Sequence, residues 1–143
     1  MRTPVKVECI IFRKINNNYD FLLLERIKSK SGFWQPVTGG VEEGESIEDA
    51  VFREVLEETS IRKEDIIRIF RDVYYFEFKS DFFEKNIIKE FVFGFEVKSN
   101  VNVHIDAGEH DKFKWVNFDK AIKLLKYETN KNAFEKMKKI LKI

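Results

Sequence analysis

The stretch Gly39–Ile61, GGVEEGESIEDAVFREVLEETSI, carries more information than any other in the chain. Ser46 reads as a helix N-cap, with Asp49 three residues on as a weak capping-box partner, and the spacing predicts a helix over 47–59. Ile47, Ala50, Val51 and Val55 form its apolar stripe. Glu54, Glu57 and Glu58 fall at i, i+3 and i+4, so a helix places all three carboxylates on one face. Arg53 precedes Glu57 by four residues and is placed to order them, with Glu45 close by before the helix. Like charges so arranged repel, and a divalent cation would compensate. Clustered hard oxygen donors suit Mg²⁺, with Mn²⁺ as an alternative, rather than zinc. Mg²⁺ is commonly held by few carboxylates plus phosphate oxygens, which points to a phosphorylated small-molecule substrate.

Working outward, 4–13 (PVKVECIIFR) and 21–26 (FLLLER) read as strands flanking a turn over Asn16–Asp20. Ile27–Gly32 reads as a polar loop and Phe33–Val37 as a short extended piece, while Gly39-Gly40 reads as chain punctuation. The aromatic alternations Tyr74/Phe76/Phe78 and Phe91/Phe93/Phe95 predict two antiparallel strands over 66–78 and 90–97, with most of these rings assigned to core packing. A short strand over 113–116 follows, then helices over 119–126, capped by Asn117 or Asp119, and 129–141. Strands with helices between and after them predict an α/β (α+β) architecture in one domain over 1–143.

The 143 residues carry a net charge of only +1, which argues against wholesale nucleic-acid wrapping, so no nucleic-acid partner is expected. That balance conceals a local net of −7 over 42–65 and +7 over 112–142, the latter read as a solvated lysine face. No apolar run is long enough for a membrane helix. No signal-peptide pattern opens the chain, and the single Cys9 reads as a buried strand thiol, so the expected location is cytoplasmic. The phenylalanine-rich strands suit a core or a dimer face, which leaves a homodimer open.

The pattern Gly-x5-Glu-x7-Arg-Glu-apolar-x-Glu-Glu-x-Gly-apolar resembles the Nudix box. Gly39, Glu45, Arg53, Glu54, Val55, Glu57, Glu58 and Ile61 match it, and Ser60 stands where the family usually has Gly. By composition, four Glu, one Gly and one Arg at fixed offsets arise on the order of 10⁻⁷ per starting position. The resemblance implies an α/β/α sandwich with a mixed central sheet over nearly the whole chain. FWQPVTGG, Glu109-His110 before FKWV, and TNKNAFE look like bacterial dihydroneopterin triphosphate pyrophosphatases, a subgroup that also acts on deoxynucleoside triphosphates.

That resemblance implies a Mg²⁺-dependent pyrophosphohydrolase releasing a monophosphate and pyrophosphate from a nucleoside or pterin triphosphate. Glu54, Glu57 and Glu58, the Gly39 carbonyl and Glu109 are its implied metal ligands. Glu57 or Glu109 would activate water, and Arg53 would position the carboxylates, Glu54 included. Arg2, Arg26, Thr38 and Asn130 are its candidate substrate contacts. His110 reads as a loop hydrogen-bonder, His104 as a surface residue, and Trp34 as packing in preference to pocket lining. Rival readings are a dinucleoside polyphosphate or ADP-ribose hydrolase, and a nucleotide-binding module without hydrolysis.

Overall fold

Strand β1, Arg2–Ile15, has its apolar residues buried on both faces of the sheet. Val7, Cys9 and Ile11 join one core cluster, and Ile10 and Phe12 join another across the sheet. A strand buried on both sides reads as the near-continuous apolar run seen here. The computed structural model describes residues 2–27, 32–80, 87–108 and 110–143, without the side chains of Arg2 and Asp111.

β1 is the hub of a seven-stranded mixed sheet. Its C-terminal half pairs antiparallel with β2, Asn18–Arg26, through a hairpin. The turn is tighter than the sequence reading. Asn16 and Asn17 alone take positive φ, 50° and 69°, a conformation that asparagine tolerates in a two-residue hairpin loop. β3, Trp34–Gln35, pairs with β2, and β4, Val37–Glu42, pairs with the first half of β1. Gly39-Gly40 is therefore strand interior and not punctuation, with Gly39 opposite Val7 and Gly40 opposite Lys6. β5, Ile66–Lys79, and β6, Ile87–Val97, form the antiparallel pair, and β6 runs parallel to β1. β7, His110–Val116, starts three residues earlier than the apolar pattern predicts and pairs with β2.

Helix α1, Ile47–Thr59, has the bounds its caps predict. Asp49 N–H donates to Ser46 Oγ at 3.0 Å. At the other end Ser60 is left-handed, φ 67°, where glycine is normally favoured. Its hydroxyl donates to the His104 carbonyl at 3.1 Å, a bond glycine could not make. Ala50, Val51 and Val55 of α1 cover one sheet face. The opposite face is covered by α2, Phe118–Leu124, and α3, Glu128–Leu141, through Phe118, Ala121, Ala133, Phe134 and Met137. Asn117, not Asp119, caps α2. The result is an α/β/α sandwich.

Candidate active site

The carboxylate face of α1 lies against β4. A Cβ at Gly39 would overlap the Glu54 carboxyl group, so this position needs glycine for close approach. Glu54 and Glu58 are buried, and the Glu57 side chain is half exposed. Arg53 ties the region together. Its Nε donates to Glu45 Oε2 at 2.7 Å and its Nη2 to Glu45 Oε1 at 3.0 Å and the Gly40 carbonyl at 2.8 Å. Its Nη1 donates to Glu54 Oε1 at 2.8 Å and Glu57 Oε1 at 3.1 Å. These bonds hold the Glu45 carboxyl below its ordinary range, and Glu45 in turn pushes the Arg53 guanidinium further up.

Gly39, Glu54, Glu57 and Glu58 line one cavity of about 350 Å³, together with Lys6, Arg26, Gln35 and Thr38. Among the described residues no three acidic, His or Cys side chains stand close enough to form a ready-made ligand set. Apart from the His110 imidazole, the metal-ligating groups that share the cavity, Asp106 included, are hard oxygens, which fits Mg²⁺ or Mn²⁺ better than a soft metal. Glu109 lies outside the described residues. His110 is not a loop residue: it opens β7, is buried, and has Nε2 3.8 Å from Glu58 Oε1 and 3.5 Å from Gln35 Nε2.

A second cleft, of about 730 Å³, adjoins this cavity and shares Lys6, Arg26, Gln35 and Thr38 with it. Arg26 and Thr38 therefore stand at the junction of the two. Asn130 lines the cleft, but its Nδ2 already donates to Glu8 Oε1 at 2.8 Å. The Arg2 side chain lies outside the described residues. Trp34 packs against the α2/α3 core cluster with Lys114 Nζ 4.4 Å from its ring centroid. His104 is exposed.

Sequence reasoning missed Lys6, Gln35, Glu8, Glu90 and the aromatic lining of the second cleft. Phe76 and Phe78, assigned to core packing, line that cleft with Phe33 and Tyr127. The signal was present for Lys6 and Glu8, two charges inside an apolar strand run. Glu90 and the aromatics gave no local sign, since an alternating strand looks the same against a core or a cleft.

This fold and this carboxylate helix define a Nudix protein: the NUDIX domain model matches residues 3–137, and the chain belongs to that hydrolase family. It is 33% identical over 99 residues to the RNA pyrophosphohydrolase of Bartonella quintana, covering 60% of this chain and 57% of that protein. Another relative, the octanoyltransferase of Myxococcus xanthus, is spanned over only 29% of its length. Among solved structures, a Listeria monocytogenes NUDIX hydrolase superposes with TM-score 0.86 at 27% identity, covering 98% of this chain and 95% of that one. The E. coli dihydroneopterin triphosphate pyrophosphohydrolase gives TM-score 0.76 at 27% identity, covering 94% of both chains. Among the described residues, no helix is long and apolar enough to cross a membrane.

Proposed function

We propose that this protein is a Mg²⁺-dependent pyrophosphohydrolase that cleaves a nucleoside or pterin triphosphate to its monophosphate and pyrophosphate. The observation that carries this reading is the junction of two cavities, one lined by the α1 carboxylates and one by aromatic rings, with Lys6 and Arg26 common to both. A triphosphate laid across the junction would put its anionic chain among the cations and carboxylate-bound metal, and its ring system between the aromatics. The family likeness supports the same chemistry.

Glu54, Glu57 and Glu58 would hold the cation with the Gly39 carbonyl and Glu109. Bound there, Mg²⁺ supplies charge neutralisation for the phosphate oxygens and a lowered pKa for water. Arg53 acts as a positioning residue: with its N–H groups committed to Glu45, Gly40, Glu54 and Glu57, it fixes where the carboxylates point. Glu57, the most exposed of the three α1 carboxylates, and Glu109 are the groups that would take a proton from water. Lys6, Arg26 and Thr38 would bind phosphate oxygens. The lone buried Cys9 suits a reducing, cytoplasmic setting.

Phosphorus NMR of single-substrate reactions, with Mg²⁺ and with chelator, tests the reading. The expected products are pyrophosphate and a monophosphate, formed only with Mg²⁺. Glu57→Gln should lower turnover by about 10²–10⁴-fold while leaving the thermal midpoint nearly unchanged, because an exposed ion pair adds little stability. Full turnover in the folded variant would overturn the assignment. Cleavage confined to ADP-ribose, diadenosine tetraphosphate or 5′-triphosphorylated RNA would move the activity to another substrate, and tight nucleotide binding without any cleavage would make the chain a binding module.

A further inference from the structure

Two carboxyls on the α2/α3 face of the sheet take no part in the hydrolytic assignment. Glu8 of β1 is fully buried and Glu90 of β6 is 4% exposed. β1 and β6 run parallel with Lys6 opposite Glu90 and Glu8 opposite Val92. Asn130, in the first turn of α3, donates to Glu8 Oε1 at 2.8 Å. Among the described residues no donor reaches Glu8 Oε2, and Glu90 is its neighbouring carboxyl.

Two ionised carboxylates cannot share a dry site at low cost, and a single proton held between them removes both the repulsion and the unsatisfied oxygen. Burial, followed by the Glu90 charge, pushes the Glu8 carboxyl well up. Glu90 is pushed up by burial, but Lys6 and the Glu8 hydrogen bond work against that rise. Lys6, opposite Glu90 in the ladder, favours charge on Glu90, whereas Glu8 is the more deeply buried of the two. It is Glu90, not Glu8, that lines the cleft.

Four aromatic rings line the cleft. Phe33 and Tyr127 meet edge to face at 5.2 Å, Phe76 and Phe78 lie 6.0 Å apart, and Glu90 and Asn130 supply polar lining. A carboxylate offers two acceptor oxygens and no donor. Its best complement is a ring N–H beside an exocyclic amine, two donors in parallel. Guanine and pterins present that edge on their 2-amino-4-oxopyrimidine ring. Adenine and cytosine place an acceptor nitrogen beside their amine, and hypoxanthine has the ring N–H without the amine.

We propose that Glu90 is a specificity-determining residue that selects a 2-amino-4-oxopyrimidine ring, that of guanine or pterin, in the aromatic cleft. The proposal rests on the pyrophosphohydrolase reading for the direction of the phosphate chain.

Calorimetric binding of the α,β-methylene triphosphates of guanosine, inosine and adenosine tests it without requiring turnover. The guanosine analogue should bind about 10–100-fold more tightly than the other two, the range of a charged two-point hydrogen bond. Glu90→Gln, checked for folding by circular dichroism, should collapse that preference, because an amide replaces one acceptor by a donor. Displacement of the guanosine analogue by dihydroneopterin triphosphate then separates the two ring systems. Equal wild-type affinity for guanosine and inosine analogues would overturn the proposal even if the variant fails to fold, as would a preference surviving in folded Glu90→Gln. Hydrolysis of triphosphates with no ring preference would sink this inference alone. A guanosine preference without hydrolysis would leave ring selection standing and remove the catalytic reading.

Discussion

Glu8 sets a sign on the pH dependence of stability. Its folded-state pKa lies well above the ordinary glutamate value of 4.5, chiefly through burial. A group raised in this way contributes stability that is full below the unfolded pKa and is lost as pH rises through the folded one. The charged and titratable groups around it are Glu90, Lys6 and the Cys9 thiol, itself pushed up by burial. Glu8→Gln keeps an acceptor for Asn130 and never ionises. Its melting temperature should therefore gain on the wild type steadily as pH rises above the ordinary glutamate value of 4.5. A difference that stays constant with pH would show that Glu8 is not held protonated. This residue also marks a boundary of what sequence can reveal. A charge inside VKVECIIF is visible on inspection, but its partner Asn130 lies 122 residues away and only the packed sheet brings the two together. Arg53, Glu54, Glu57 and Glu58 were legible because one helix fixes their mutual spacing, whatever the rest of the chain does.

At the scale of elements, α3 comes close to the sheet over a single glycine. A Cβ at Gly94 of β6 would stand 2.6 Å from Met137 Sδ. Gly94→Ala should cost about 1–3 kcal/mol in urea unfolding, toward the lower end if the flexible Met137 side chain swings aside. An unchanged urea midpoint would mean that α3 is not seated on β6 as described. The two close-packed glycines show why element reading succeeds in one place and fails in another. Helix α1 announced both of its ends, through the Ser46 cap and the position that Ser60 fills. Gly39 carried the same letter as a turn glycine but serves a different purpose, room for the Glu54 carboxyl group inside a strand. Turn chemistry and close approach select the same residue, and sequence alone does not separate them. The β7 start was missed for a related reason: His110 and its polar neighbours break the apolar pattern while the ladder with β2 continues.

At the scale of the molecule, the sheet has a core cluster on each face, and β1 and β2 contribute residues to both. Neither cluster can lose its strands without uncovering the other. Residues 1–143 should accordingly unfold as one cooperative unit, as small single domains usually do. The two tryptophans make this testable, because Trp115 packs against the α1 cluster and Trp34 against the α2/α3 cluster. Trp34→Phe leaves a fluorescence probe on one face, and Trp115→Phe leaves one on the other. Each variant will have its own stability, so the comparison is made within each protein, between its remaining tryptophan and far-ultraviolet circular dichroism. The two midpoints should agree within about 0.2 M urea, with the same slope, if one transition exposes all the surface. A tryptophan transition that precedes the loss of secondary structure in only one variant would mean that one helical layer detaches first. If that variant is Trp115→Phe, which reports through Trp34, the aromatic cleft, whose lining includes Asn130 of α3 and Glu90 of β6, would open before the carboxylate helix is lost. In that case ligand binding and metal binding would fail at different urea concentrations, whereas a single unit loses both together.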